Sequence, residues 1–137
     1  MIRLNNWQSS FSKWIERAHG MAFEWGSWDC GIFVVTAIQA QTGIKVYEPM
    51  WEDERSAVDL MTRAGSLKIF HDTLEQFDCL PCHPNEARDG DPLLLRQGKR
   101  LIGAIKYRGG AIAPGKCGIE QLPISQAEYA WHLEGKN

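Results

Sequence analysis

The chain has 137 residues, 44% of them hydrophobic, and a formal net charge of −2. That is one domain, residues 1–137, with enough apolar material for a core, and its scattered basic residues give no electrostatic footing for nucleic acid or an acidic membrane. No apolar run reaches membrane-spanning length, and the start MIRLNNWQSSFSKW is amphipathic, without the apolar centre of a signal peptide. The four cysteines, Cys30, Cys79, Cys82 and Cys117, are therefore expected as reduced thiols.

Asn6 is a suitable N-cap for a first helix in which Trp7, Phe11, Trp14, Ile15 and Ala18 form one apolar stripe, with Gly20 as its stop. His19, at the helix end, reads as a surface residue. The segment Phe23 to Gly43, FEWGSWDCGIFVVTAIQAQTG, predicts a second helix capped by Asp29, opened by Cys30 and Gly31, and ended by Gly43. Its residues from Ile32 to Ala40 are apolar nearly all round, the pattern of a helix sunk in a core. A thiol at a helix N-terminus lies beside unpaired N–H groups and the positive end of the dipole, which favours its thiolate and makes Cys30 the candidate nucleophile. A buried inert core cysteine is the competing reading.

Trp51 to Ala64 predicts a third helix, whose acidic start Glu52, Asp53 and Glu54 suits the helix dipole better than a metal. After Gly65, a shorter helix is expected from about Leu67 to Phe77. The stretch Asp78 to Gly90 reads as a loop with two prolines. It contains Cys79-Leu80-Pro81-Cys82-His83, which has the spacing of a c-type haem attachment site. Haem also needs export and usually a distal ligand, and no methionine follows Met61. A zinc or iron-sulfur site using Cys79, Cys82, Cys117 and His83 is the stronger alternative, although the second Cys-x-x-Cys half is missing. Ordinary loop cysteines are favoured, and no metal or cofactor is expected.

From Asp91 the pattern turns to strands. Pro92–Leu95, Leu101–Tyr107, Ala111–Ala113 and Gly118–Leu122 are separated by Gln97-Gly98-Lys99, Arg108-Gly109-Gly110 and Pro114-Gly115-Lys116, an antiparallel meander. Ser125 and Glu128 have capping-box spacing and predict a closing helix carrying Ala127, Ala130, Trp131 and Leu133. The expected class is α+β, with N-terminal helices packed on a small C-terminal antiparallel sheet.

The string Phe23, Trp25, Gly26, Asp29, Cys30 and Phe33 resembles the nucleophile motif of the NlpC-like cell-wall peptidases, papain-like cysteine hydrolases. The resemblance implies one NlpC/papain-like domain with Cys30 as nucleophile, Asp29 as the cap that holds it, and Trp25, Gly26, Trp28 and Gly31 beside the substrate. Gly90-Asp91 matches the Gly-Asp pair that opens the sheet of that family. Active members then carry a strand of the type His-Val-Gly-Ile-Tyr, whose histidine is the base. Here the strand reads Leu101-Ile102-Gly103-Ala104-Ile105, and neither Leu101 nor the adjacent Arg100 accepts a proton near neutral pH. His83 is the first candidate to replace that base, with His71 and His132 behind it.

The outline is most similar to a group of small phage and prophage proteins that sit among tail-assembly proteins and share the Trp-Gly-x-x-Asp-Cys string, the Gly-Asp turn, a Gly-containing strand and a closing Ala-Trp helix, here Ala130-Trp131. That resemblance implies a virion component of the phage tail tip, made in the host cytoplasm, with tail-tip or hub proteins as partners and no stable membrane insertion. A structural, catalytically degenerate component is the expected function. The alternatives are an active hydrolase of peptidoglycan peptides and a metal-carrying module built on the cysteine loop.

Overall fold

The computed structural model describes residues 3–44, 55 and 65–133. The helix expected over Trp51–Ala64, with its acidic start, lies outside the described residues apart from Arg55, which is helical. The described elements are three helices and a six-stranded antiparallel sheet, an α+β arrangement.

Helix α1 (Trp7–His19) buries Phe11, Trp14, Ile15 and Ala18, the stripe its spacing predicts. Asn6 stands at its N-cap without a side-chain capping bond. Helix α2 (Cys30–Thr42) begins at Asp29, whose carboxylate accepts the Ile32 N–H, and ends at Gly43 in the left-handed conformation, φ +75°. Its all-round apolar surface is matched by burial of Phe33, Val34, Val35, Ala37 and Ile38. Trp14 Nε1 donates to Thr36 Oγ1 at 3.0 Å, tying α1 to α2, and the Trp14, Trp28 and Phe33 rings cluster within 6.2 Å of one another. Helix α3 (Ser66–Glu75) lies against β3.

The strands are β1 (Leu80–Cys82), β2 (Pro92–Gln97), β3 (Arg100–Tyr107), β4 (Gly110–Gly115), β5 (Gly118–Leu122) and β6 (Ala127–His132), in the order β1-β6-β2-β3-β4-β5. The meander β2 to β5 has the expected order, but the last turn falls at Lys116-Cys117, because Pro114 and Gly115, read as turn residues, stay in β4 and pair with Ile119 and Gly118. Both faces of the sheet are buried. Leu94, Ile105, Ile112 and Trp131 join the helices in one core. Leu93, Leu95, Ala104 and Ala130 form a second core on the other face, packed against Cys82, Ala87, Leu122 and Ile124.

Two expectations are corrected. The closing helix is a strand: β6 slots between β1 and β2, pairing Leu93 with Ala130 and Pro81 with Trp131. The short span Ala127–His132 gains more by completing the ladder and burying Ala130 and Trp131 on opposite faces than by coiling, a tertiary override of local preference. Glu128, read as half of a capping box, instead pairs with Arg96 of β2, its two oxygens at 3.0 and 2.9 Å from the guanidinium. The stretch Asp78–Gly90 is not all loop either. It holds β1 and a 3₁₀ turn at Pro84–Glu86, and Pro81 is tolerated because β1 is an edge strand.

Candidate functional site

The site is built around the first turn of α2. Gly26, at φ +82°, bends the chain so that its N–H donates to Asp29 Oδ2 at 3.0 Å, while Oδ1 accepts the Ile32 N–H at 3.0 Å. Asp29 is fully buried and spans the turn and the helix start, which fixes where Cys30 sits. The segment before it is itself anchored. Phe23 N–H donates to the Gly115 carbonyl at 2.9 Å, and Glu24 bridges Trp28.

Gly103 of β3 faces the Cys30 sulfur with its backbone N–H, and the pairing of the strands explains why that N–H is available. The β3–β4 turn is the two-residue Arg108-Gly109, both at positive φ, so the closing pair Tyr107 and Gly110 exchange hydrogen bonds. By alternation Ile105 and Gly103 point their N–H groups the same way, toward β4. The ladder ends at Ile105–Ile112, and the next partner in register is Pro114, which has no N–H to exchange. The sulfur of Cys30 lies where the two strands part.

The same glycine is required by shape. A Cβ at Gly103 would lie 2.7 Å from the Phe70 ring and 3.1 Å from the Cys30 carbonyl oxygen. Phe70, from α3, therefore packs beside the nucleophile position.

Cys30 is half-buried, and loss of solvent around its sulfur raises the thiol above its ordinary range; the Gly103 N–H opposes this, the nearby Asp29 carboxylate adds to it, and Arg100 pulls it down. The expected stabilisation of a thiolate by the helix start is thus outweighed by desolvation. Leu101, two residues before Gly103, is half-buried against the helix-side core, in the place the peptidase pattern gives to its base.

The structure ties Gly26 and the start of α2 to Asp29 beside Cys30, and it gives the other candidates different surroundings. Trp28, expected beside a substrate, is buried between Trp14 and Phe33. Gly31 is buried where α2 meets α3, alongside Val35 and Phe70. Trp25 is half-buried, edge-on to Phe23 at 5.0 Å. Both Trp28 and Gly31 are core residues because the aromatic helices close over them.

None of the three histidines is seated at the sulfur. His83 is exposed and its Nδ1 accepts the Asn85 N–H at 3.1 Å, capping its own turn. It follows β1, three strands from β3, a separation of about 14 Å across a sheet. His71 turns toward Trp131, with ring centroids 6.5 Å apart. His132 is hydrogen-bonded through Nδ1 to Asp91 Oδ2 at 3.0 Å.

That Asp91–His132 pair belongs to a buried network that sequence reasoning missed. Asp91 is 0% exposed and also binds Arg3, at 3.1 Å, and the Leu133 and Arg88 N–H groups. Arg3 Nε reaches Gln41 Oε1, and Gln41 Nε2 donates to the Gly90 carbonyl. Gln41 is at the far end of α2 from Cys30, eleven residues or about 16 Å along a helix, so the network is remote from the sulfur. The Gly-Asp pair was the only visible signal of it.

The cysteine set read as a metal alternative is not assembled. Cys79 packs in the helix-side core and Cys82 against the opposite one, as residues three apart on an extended strand must. Cys117 is exposed in the β4–β5 turn. Among the described residues no three metal-ligating side chains converge.

No helix among the described residues is long and apolar enough to cross a membrane. No curated protein matches the sequence. A family model for a domain of unknown function, DUF6950, matches residues 2–133, nearly the whole chain, and the protein belongs to that family.

Proposed function

We propose that this chain is a structural component of a phage or prophage tail tip, built on an NlpC-like cysteine-peptidase scaffold whose catalytic apparatus has decayed. The observation that carries the reading is the pairing at the α2 start. Cys30 opens an Asp29-capped helix, which agrees with the nucleophile of the resemblance, while Leu101, the residue that the resemblance aligns with the base, is an apolar residue packed against the core. A thiol whose ionisation is suppressed by burial needs a proton acceptor to attack a carbonyl, and hydrophobic Leu101 supplies none. The location at the tail tip rests on the sequence resemblance. The experiment is genetic. Particles carrying Cys30→Ala stay infectious and the protein co-purifies with tail-tip or hub proteins, whereas deletion of the whole chain abolishes infection. Normal infectivity after deletion defeats the reading.

A second reading, an active hydrolase of peptidoglycan peptides, is favoured by one feature. The backbone N–H groups of Gly103 and of Cys30 itself lie at the sulfur, a donor-bearing surround in which a tetrahedral oxyanion would be stabilised. It requires muropeptide turnover that Cys30→Ser abolishes. Absence of turnover together with absence of iodoacetamide labelling at Cys30 removes it.

A further inference from the structure

The sheet ends on two edges, β1 and β5, and strand parity gives them opposite characters. In an antiparallel ladder alternate residues turn both N–H and C=O toward one neighbour, and the residues between them turn theirs the other way. The tight turns fix which is which. Lys116-Cys117 makes Gly115 and Gly118 a closing pair, so Ala113 exchanges bonds with Glu120 and Ala111 with Leu122. Ile119 and Gln121 then point their N–H and C=O groups away from the sheet, and neither N–H has a backbone acceptor among the described residues.

At the other edge, the Gly98-Lys99 turn makes Gln97 and Arg100 the closing pair. Carried through β2 and β6, the alternation gives Leu80 and Cys82 the bonds to β6 and leaves Pro81 facing outward. Proline has no N–H, so β1 offers an added strand no donor, whereas β5 offers two donors and two acceptors.

The side chains of β5 define what it takes. Glu120 is exposed and pairs with no cation among the described residues. It stands between Ile119 and Gln121, so the residue opposite it in an added antiparallel strand falls at a non-hydrogen-bonded position, where side chains approach most closely. A second copy of this chain fits poorly in every register. A two-fold axis at Glu120 sets two carboxylates face to face in that close pair. At Gln121 it sets Ile119 against Pro123, which has no N–H, and at Ile119 it sets Gln121 against the turn residue Cys117.

We propose that β5 receives an extended segment of a different protein, added antiparallel, with a lysine or arginine opposite Glu120. The backbone of Ile119 and Gln121 supplies the ladder, and the carboxylate selects a cationic strand. The inference goes beyond the tail-tip reading and uses none of the residues around Cys30.

The test is a titration of the full-length, ¹⁵N-labelled chain with acetyl-Thr-Val-Lys-Val-Thr-amide and with the same peptide carrying Glu in place of Lys. The Ile119 and Gln121 amide signals move saturably with the lysine peptide, and the signal of Leu95, in a central strand, stays in place. The lysine peptide binds about fivefold tighter than the glutamate peptide, the scale of exchanging a like-charge cross-strand pair for an opposite-charge one. Glu120→Lys, at an exposed position, reverses that order. Gln121→Pro removes one outward donor, a change an edge strand tolerates, and abolishes binding while the other amide signals certify the fold. Equal binding of the two peptides, or no saturable movement at Ile119 and Gln121 at the highest soluble concentration, overturns the proposal. Movement of those two signals with protein concentration alone also overturns it, in favour of a second copy.

Discussion

Cys79 shows how much a single side chain's surroundings decide. Its thiol is pushed up to about 12, first by burial and then by the Asp91 carboxylate, and Cys82 is pushed up to about 11 by burial, Asp91 and Glu86. The folded chain therefore keeps these protons after the unfolded chain has released them, above an ordinary value of 9.0. Between those limits the unfolded state binds fewer protons, so stability is intact below about pH 9 and falls as pH rises toward about 12. Urea midpoints measured across that range are expected to decline, and Cys79→Ala is expected to flatten the decline. An equally steep fall in the variant would assign the effect elsewhere. The cysteine positions are plain in the sequence, but their state is not, because ionisation depends on which core each sulfur enters.

At the scale of elements, the contact between α2, α3 and β3 is the one on which the candidate site depends. Gly103 is where a helix start, an aromatic ring and a strand meet, and even one methyl group has no room there. Gly103→Ala is expected to cost about 1–3 kcal/mol in urea unfolding, through overpacking against Phe70 and Cys30. Phe70→Leu in the same background should return part of that loss, since it shortens the opposing side chain; an additive double variant would locate the strain elsewhere. The helix α2, its Asp29 cap and its Gly43 stop were legible in the sequence because capping is decided within a few residues. The N–H that Gly103 turns to the sulfur was not. It follows from a register that runs out at Pro114, a residue eleven positions away on the next strand.

Across the whole molecule, the Asp91 network ties residue 3, the end of α2, the start of β2 and the end of β6 into one buried cluster. Removing one member leaves the others charged or unpaired out of water. Asp91→Ala is therefore expected to cost about 3–5 kcal/mol, with Arg3→Ala comparable and the double variant well short of the sum, as chemical denaturation of the three would show. Fully additive losses would mean that Arg3 and Asp91 are not coupled. The sequence by itself determined the α+β class, the helices α1 and α2 and the order of the β2 to β5 meander, because periodicity, caps and turn residues act over short spans of chain. Only the tertiary structure decided that the last segment is a strand, that Trp28 and Gly31 belong to the core, that burial suppresses the Cys30 thiolate and that Asp91 holds Arg3 and His132. Each of those depends on groups brought together from distant parts of the chain, and desolvation and strand pairing exist only once that assembly is complete.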